Sequence, residues 1–152
     1  MSIKLLLVDG SDVMRSAIRQ LLKKELGIEV IGTANSFAET MALTAALKPD
    51  VLLMDPHMPD EREYKPAFVK SQILLHAKCI VAISLWNDAD TRALAETFGA
   101  HVFLDKMNLY SELIPAIKRF CPSVSIPETA NSFREDSRRL ASGSMGEGFD
   151  AA

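Results

Sequence analysis

The sequence predicts an α/β domain in which helices cover both faces of a parallel sheet. Five short apolar runs alternate along the chain with five stretches of helical periodicity. Alternation at this spacing favours right-handed βαβ units, whose strands are buried on both faces. The chain has 152 residues, of which 48% are hydrophobic, so it can form one substantial core. We therefore predict one doubly wound domain over residues 1–121.

The predicted strands are short apolar runs bounded by turn residues. The clearest is the continuous run from Val51 to Met54, which ends abruptly at Asp55 and is followed by Pro56 and Pro59. A run without alternation is typical of a strand buried on both faces. By the same criterion, the five strands cover residues 3–8, 28–34, 51–54, 79–83 and 101–104.

Capping residues and prolines place the helices. Ser36 and Glu39 form a capping box, and Gly27 and Gly99 are placed to end the first and fourth helices. Pro115 lies inside the last helical stretch, which predicts either a kink or a late start. The five helices are predicted over about residues 12–26, 36–48, 66–74, 88–98 and 110–120.

Two of these helices carry a further signal at their start. Either Asn87 or Asp88 caps the fourth helix. Pro66 suits the first turn of the third helix, because that position needs no backbone N–H. The apolar face of the third helix is predicted to consist of Phe68, Val69, Ile73 and Leu74.

The composition argues against several classes of partner and location. The net charge of −3 gives no broad attraction to nucleic acid or to anionic membranes. The apolar run from Leu5 to Val8 is too short for a signal peptide or a membrane span. Cys79 and Cys121 lie far apart and lack metal-ligand spacing, so we predict two reduced thiols in a cytoplasmic protein.

The composition changes after Cys121. Residues 122–152 contain six serines, and three of the chain's seven glycines fall between Gly143 and Gly148. Such a segment buries little apolar surface, so we predict a polar and mostly flexible tail. Ser132 and Glu135 form a second capping box in it, which predicts a short helix over residues 132–142.

Polar residues occur at or just after the ends of four predicted strands. Asp9, Asp55, Ser84 and Lys106 belong to strands one, three, four and five, and the carboxyl ends of parallel strands share one edge of a sheet. Two carboxylates suit Mg²⁺, whereas a lysine and a hydroxyl suit phosphate oxygens. A carboxylate beside a metal and a lysine can act as a nucleophile toward phosphorus. Taken alone, Asp55 equally fits a residue that starts a turn.

In its strand-end motifs the chain resembles the receiver domain of two-component response regulators. The matching motifs are LLLVDG, PDVLLMDPHMP, CIVAIS and GAHVFLDK, and the resemblance covers about residues 3–120. It implies a flavodoxin-like (βα)5 fold with strand order 2-1-3-4-5. It also implies a stand-alone module that signals by protein–protein interaction. Such a module is not an enzyme, apart from self-phosphorylation and autodephosphorylation at Asp55.

The resemblance assigns a role to each polar residue at the strand ends. Asp55 is expected to accept a phosphoryl group from a sensor histidine kinase or a phosphotransfer protein. Ser84 and Lys106 are expected to bind that phosphoryl group, and Phe103 is expected to act with Ser84 as a switch. The expected ligands of a Mg²⁺ ion are Asp9, Asp55 and the backbone carbonyl of His57.

The position after Asp9 departs from the family pattern. Receivers normally carry two adjacent acidic residues there, whereas this chain has Asp9-Gly10. Because the missing carboxylate usually contacts the metal, we expect a weakened Mg²⁺ site. Asp12 is a candidate replacement ligand, although a helix N-cap is the favoured role for it. The polar loop over residues 60–65 also replaces the short glycine-containing turn expected there.

Two readings of the function remain open at this stage. The chain is either a working phosphoacceptor or a degenerate receiver that serves as a phosphorylation-independent interaction module. Gly10 favours the second reading, whereas the intact Asp55, Ser84 and Lys106 favour the first. An enzyme or a flavin-binding domain of the same topology is disfavoured, because no hydroxyl- and glycine-rich phosphate loop follows the first strand.

The resemblance also predicts an interaction surface. Its expected place is the face of the fourth helix, fifth strand and fifth helix, which would mediate homodimerisation or docking of a downstream protein. His57 and Trp86 are expected at the rim of the phosphorylation site, where side chains tune the lifetime of the phosphoryl group. The residues assigned to the interaction face are Ala93, Phe103, Leu109 and Ile117.

Overall fold

A computed structural model describes residues 2–121 of the chain. Strands and helices alternate throughout this part, as the sequence predicts, and a short 3-10 turn precedes the last helix. The elements are β1 (Ile3–Val8), α1 (Asp12–Lys23), β2 (Ile28–Ala34), α2 (Phe37–Leu47), β3 (Val51–Met54), α3 (Pro66–Ile73), β4 (Cys79–Ser84), α4 (Ala89–Thr97), β5 (Val102–Asp105), the 3-10 turn (Lys106–Asn108) and α5 (Leu109–Phe120).

The five strands form one parallel sheet in the order β2-β1-β3-β4-β5. This is the flavodoxin-like order that the resemblance implies, so the predicted fold class and strand order are confirmed. The register aligns the carboxyl ends of the strands, with Val8 opposite Met54 and Ser84 opposite Asp105. Residues that follow β1, β3 and β5 therefore leave the sheet at the same edge.

Two apolar clusters hold the helices against the sheet, one on each face. Leu5 and Leu7 face α1 and α5, whereas Leu6 and Val8 face α2, α3 and α4. The alternation follows from the two-residue period of a strand. Every residue of β3 and β4 is buried, which explains why these strands read as continuous apolar runs.

The start of α2 is held by three side chains. Ser36 Oγ accepts a hydrogen bond from Glu39 N (3.1 Å), as the capping box predicts, whereas Glu39 Oε1 accepts from Asn35 N (2.8 Å) rather than from Ser36 N. The carboxylate of Asp60 accepts hydrogen bonds from the backbone N–H groups of residues 37 and 38, which open α2, at 2.8 and 3.1 Å. The polar loop after β3 is thereby tied to the first turn of α2.

The first helix ends earlier than the sequence predicts. It stops at Lys23, and Leu26, which the prediction placed inside it, is 96% exposed. The chain must turn there to bring β2 beside β1, and Ile3 N donates to Gly27 O at 2.7 Å. The requirement of strand pairing therefore overrides the remaining helical pattern.

Two predictions about the later helices are also refined. Asp88, not Asn87, caps α4, and Gly99 follows that helix with a φ of 87° as a left-handed C′ residue. The last helix begins at Leu109 and contains Pro115, so a late start is wrong. Within α3 only Val69 and Ile73 of the four predicted face residues are buried, because eight residues present little more than one stripe to the sheet.

Cys79 and Cys121 form a disulfide, so the prediction of two reduced thiols is wrong. The two residues are 42 positions apart in the sequence, yet their Cα atoms are 5.7 Å apart. Cys79 opens β4 and Cys121 follows α5, and the last helix runs back along the sheet to the start of β4. This proximity depends on the tertiary fold, which spacing along the chain does not reveal.

The predicted tail over residues 122–152, with its helix over 132–142, lies outside the described residues. Across residues 2–121, no helix combines the length and the apolar character needed to cross a membrane.

Candidate functional site

Two buried carboxylates lie side by side at the carboxyl edge of the sheet. Asp9 follows β1 and Asp55 follows β3, the two central neighbours, and the residues are 2% and 9% exposed. Asp9 Oδ1 accepts from Ser11 N at 2.9 Å, and Asp55 Oδ1 accepts from His57 N at 2.8 Å. Each carboxylate is thus oriented by a backbone N–H two residues later, as Asp commonly is in turns.

Lys106 inserts its ammonium group between these two carboxylates. Its Nζ lies 2.6 Å from Asp9 Oδ2 and 2.7 Å from Asp55 Oδ2, and its side chain is only 5% exposed. The 3-10 turn aims the lysine, since Asp105 Oδ1 at the end of β5 accepts from Met107 N at 2.8 Å. Residues from β1, β3 and β5 therefore meet, as predicted from their places at the strand ends.

Burial and the neighbouring charges shift the pKa values of Asp55 and Lys106. Burial raises the pKa of Asp55, and this effect exceeds the opposing effect of the Lys106 ammonium. Burial also lowers the pKa of Lys106, but its hydrogen bond to Asp55 and its attraction to Asp55 and Asp9 outweigh burial and raise that pKa above the usual value. The lysine therefore stays a cation, and it offsets only one of the two carboxylates.

Ser84 lies at the same edge, but its hydroxyl is engaged in the loop between β4 and α4. The residue is fully buried, and its Oγ accepts a hydrogen bond from Trp86 N at 3.0 Å. Trp86 itself is 62% exposed. A movement of the Ser84 hydroxyl would therefore break a contact with the residue that carries the indole ring.

Phe103 is buried beneath α4. It packs with Ala82 and Ala95, and the guanidinium of Arg92 lies 4.9 Å from the centre of its ring. This distance is within the range of a cation–π contact. The predicted switch aromatic is therefore inside the interface between β5 and α4.

The residues predicted for the interaction face are mostly wrong. Leu109 and Ile117 belong to the core on the side of α1 and α5, and Phe103 is also buried. Of the four, Ala93 alone is exposed. The apolar stripe of α5 that the sequence reveals is the one that faces the sheet, so it does not identify the outer face.

The side chain of His57 connects the site to α4. Its Nδ1 lies 3.3 Å from Glu61 Oε1 and its Nε2 lies 3.3 Å from Thr91 Oγ1. Thr91 is buried, and its backbone N donates to Asp88 Oδ1 at 2.7 Å. The sequence analysis missed Thr91, because the residue reads only as an ordinary position in the first turn of a helix.

The residues present fit a weak Mg²⁺ site. Asp9 Oδ2 is a buried oxygen that makes no hydrogen bond within the described part of the chain, since its short contact with Lys106 is an ion pair without hydrogen-bond geometry. Two carboxylates with waters and one carbonyl are a minimal set of Mg²⁺ ligands. Over residues 2–121, no cluster of three or more His, Cys, Asp or Glu side chains could hold a metal ion.

Asp12 does not complete this site. It is the first residue of α1, its side chain is 90% exposed, and it pairs with Arg15. The helix N-cap is Ser11, whose Oγ accepts from Met14 N, so the predicted N-cap role of Asp12 is wrong. The ion pair with Arg15 instead directs the carboxylate along the surface of α1.

A set of exposed apolar side chains, here called the apolar rim, follows three of the strands along the chain. It consists of large apolar side chains that are more than half exposed and that follow β1, β4 or β5 at the carboxyl edge of the sheet. The members of this rim are Val13, Leu85, Trp86, Met107 and Tyr110.

Curated proteins with similar sequences include a methylesterase and a response regulator. A protein-glutamate methylesterase/protein-glutamine glutaminase of Hydrogenovibrio crunogenus is 36% identical over 106 residues, which are 68% of this chain and 28% of the relative. The response regulator GacA of Pseudomonas syringae is 44% identical over 57 residues, which are 38% of this chain and 27% of the relative. The chain thus spans less than a third of each of these two relatives.

Solved structures of the same fold include receiver domains. The response regulator domain of CheB from Thermotoga maritima gives a TM-score of 0.69 at 23% identity, covering 81% of this chain and 98% of that chain. The signal receiver domain of NarL from Mycobacterium tuberculosis gives a TM-score of 0.63 at 22% identity, covering 77% and 97%. At these identities the likeness concerns the fold.

The family assignment rests on a sequence model. The model of the response regulator receiver domain matches residues 5–118, from the third residue of β1 nearly to the end of α5. The match spans all five strands and includes the two aspartates, the serine and the lysine of the site. The chain therefore belongs to the response regulator receiver domain family of two-component systems.

Proposed function

We propose that this receiver accepts a phosphoryl group on Asp55 and passes the signal on through protein–protein contacts. The observation that carries the proposal is the hydrogen bond from Lys106 Nζ to Asp55 Oδ2, in a buried site that also contains Asp9. A single lysine that reaches both carboxylates leaves the site with a net negative charge. A divalent cation or a phosphoryl group with its metal would complete the balance of charge.

In the proposed reaction, a carboxylate oxygen of Asp55 attacks the phosphorus of a phosphohistidine. The new P–O bond forms as the P–N bond breaks, and the imidazole leaves with a proton, so an acyl phosphate remains on Asp55. Lys106 provides the positive charge next to the transferred oxygens. A bound Mg²⁺, held by Asp9, Asp55 and the His57 carbonyl, would neutralise charge on the phosphoryl oxygens.

The response to phosphorylation is proposed to run through Ser84. A phosphoryl dianion on Asp55 offers the Ser84 O–H a strong acceptor. The movement that brings the hydroxyl to it would draw Ser84 Oγ away from the Trp86 N–H that donates to it. The loop between β4 and α4 would then shift, and Phe103 would repack beneath α4. Lys106 would exchange part of its contact with Asp9 for a contact with the phosphoryl group.

The proposed partners are a sensor histidine kinase or phosphotransfer protein and a downstream protein. The apolar rim follows strands that end at the carboxyl edge, which a phosphoryl donor must approach, and this supports docking of a protein there. Self-association through the face of α4, β5 and α5 belongs to the same proposal. We place the protein in the cytoplasm and assign it no catalysis beyond self-phosphorylation and autodephosphorylation at Asp55.

A second candidate function is a receiver that binds its partner without phosphorylation. Gly10 favours this candidate. Without an acidic residue at position 10 the site has only two carboxylates, and Lys106 already contacts both. In that state Lys106 holds the two carboxylates together as a structural cluster. The two candidates differ in one measurable respect, which is the response of the site to a phosphoryl analogue.

Trp86 fluorescence tests the proposal. Beryllofluoride with Mg²⁺ mimics an acyl phosphate. We expect it to change the fluorescence emission of Trp86, because the hydrogen bond from the backbone N–H of Trp86 to Ser84 Oγ would be lost. Asp55→Asn should abolish the change, whereas Asp12→Asn, the same substitution at an exposed aspartate of α1, should keep it. If the wild type does not respond at saturating Mg²⁺, the phosphorylation-independent candidate is the correct one.

A further inference from the structure

The disulfide lies at the opposite edge of the sheet from the candidate site. Cys79 is the first residue of β4 and Cys121 directly follows α5. Both residues are almost completely buried in the cluster on the side of α1 and α5. Neither sulfur has any part in the proposed phosphoryl chemistry.

The disulfide closes a covalent ring over the last two strands and the last two helices. The 42-residue separation encloses β4, α4, β5 and α5. Ser84, Phe103 and Lys106 lie inside this ring, whereas Asp9 and Asp55 lie outside it. The closed ring therefore contains the elements that carry the phosphate-binding and switch residues, and it fastens their two ends to each other.

The two cysteines differ in how firmly the backbone holds them. Cys79 is paired with Val51 in the sheet, and its N–H donates to Asp50 O at 3.0 Å. Cys121 is held on the helix side only by its N–H bond to Ile117 O, at 2.9 Å. The ends of helices open at much lower free energy than central strands do.

An ion pair links the end of α5 to the loop after α1. Lys118 Nζ lies 2.6 Å from Glu25 Oε2, and the lysine side chain is 56% exposed. Exposed ion pairs contribute little to stability. Opening of the last helical turn would therefore expose Cys121 Sγ while Cys79 stays in the sheet.

We propose that the Cys79–Cys121 disulfide is an exchange site for low-molecular-weight thiols, entered at Cys121, and that its reduction releases the last turn of α5 from the start of β4.

The exchange proceeds in two balanced steps. A small thiolate attacks Cys121 Sγ, the S–S bond breaks, and Cys79 leaves as a thiolate that takes up a proton. A second small thiol then attacks the outer sulfur of the mixed disulfide, which frees Cys121 and forms the small-molecule disulfide. Two thiols are oxidised, and the protein gains two electrons and two protons. Oxidation by the small-molecule disulfide is the reverse sequence.

The first test uses the wild-type full chain in glutathione redox buffers. Thiol alkylation followed by mass spectrometry should show two modified cysteines under reducing conditions and none under oxidising conditions. Amide hydrogen exchange should show roughly tenfold or greater loss of protection over residues 118–121 on reduction, while β1 remains protected.

Three results of that experiment would overturn the proposal. An absence of alkylation in the native protein would identify an inert structural bond. Complete loss of protection in β1 together with α5 would mean that reduction unfolds the whole domain. Unchanged protection over residues 118–121 would mean that the bond does not fasten the helix.

The second test identifies the sulfur that is attacked. With glutathione disulfide, Cys79→Ser should form a mixed disulfide at Cys121 at least about tenfold faster than Cys121→Ser forms one at Cys79. Equal rates, or a faster reaction of Cys79, would overturn the assignment of Cys121 as the point of entry. The wild-type measurement does not require either variant to fold, and neither test depends on phosphorylation.

Discussion

At the scale of single residues, Lys106 determines the electrostatics of the site. Its ammonium contacts both Asp9 and Asp55, at 2.6 and 2.7 Å, and is the one cation that does so within residues 2–121. Two buried carboxylates that both contact one ammonium group lie close enough to repel each other when that cation is removed. The lysine therefore stabilises the fold in the resting state and is also placed to bind a phosphoryl oxygen.

We expect Lys106→Met to lower the free energy of unfolding at neutral pH by roughly 3–5 kcal/mol, because it leaves buried charges without a partner. The loss should shrink at mildly acid pH, where protonation of one carboxylate removes the repulsion. Urea unfolding of the variant and the wild type at neutral and at mildly acid pH measures this loss of stability. Lys78→Met is the control, since Lys78 forms an exposed ion pair with Asp50 at 3.3 Å and should cost little. Equal losses at both pH values would contradict this account of Lys106.

We propose that Gly10 weakens the affinity for Mg²⁺. Gly10→Asp adds a carboxylate beside the ion, so we expect roughly tenfold tighter Mg²⁺ binding, measured by titration of Trp86 fluorescence. Part of the gain is offset, because a Cβ at this position would lie 3.2 Å from Pro59 Cδ. Gly10→Ala introduces the same crowding without the charge and should bind Mg²⁺ no more tightly than the wild type. Equal affinities of the Asp and Ala variants would show that the added carboxylate does not reach the ion.

At the scale of elements, side chains from loops hold the helices in place around the site. Asp60 joins the loop after β3 to the start of α2, and His57 joins the same loop to Thr91 in α4. His101 joins the start of β5 to β4, since its Nδ1 accepts from Ile80 N at 3.0 Å. These contacts couple the loop beside Asp55 to helices on one face of the sheet.

Asp60→Ala should destabilise the protein by about 1 kcal/mol, because two N–H groups of the first turn of α2 lose their acceptor. Thermal unfolding measures the loss. Glu63→Ala, in the same loop and exposed, is the matched control and should leave the melting temperature almost unchanged. If both variants melt at the same temperature as the wild type, the Asp60 contacts do not stabilise α2.

His101 should make stability depend on pH. Burial lowers its pKa below the usual 6.5, and its Nδ1 must stay unprotonated to accept from Ile80 N. The folded state therefore binds fewer protons than the unfolded state, so the contribution is present above about pH 6.5 and is lost as the pH falls through the lower, folded-state pKa. His101→Leu should flatten this part of the pH profile of urea unfolding, whereas His76→Leu should retain it. A profile unchanged by His101→Leu would exclude this histidine as the cause.

At the scale of the whole molecule, the predictable features are those that repeat along the chain. Buried parallel strands read as apolar runs, and their carboxyl ends share one edge, so the sequence was sufficient to place Asp9, Asp55 and Lys106 together. The disulfide and the contact of His57 with Thr91 join residues that are distant in sequence and carry no local signal. The outer face of α5 was also missed, because its periodic stripe points inward.

Reduction of the disulfide should lower the free energy of unfolding of the whole chain by roughly 4 kcal/mol, because it opens a ring closed over a 42-residue separation. Urea unfolding with and without a reductant measures this. Cys121→Ser should be insensitive to the reductant, which controls for effects of the reagent itself. A wild type with the same midpoint in both conditions would show that the bond contributes no net stability.

Chemical trapping of the phosphorylated residue tests the central proposal most directly. The full chain is incubated with acetyl phosphate and Mg²⁺, the acyl phosphate is reduced with borohydride, and the product is mapped by mass spectrometry. The proposal predicts modification at Asp55, none at Asp9 or Asp12, and none in Asp55→Asn. The absence of any adduct at Asp55 at saturating Mg²⁺, or an adduct on another aspartate, would contradict the assignment of Asp55 as the phosphoacceptor.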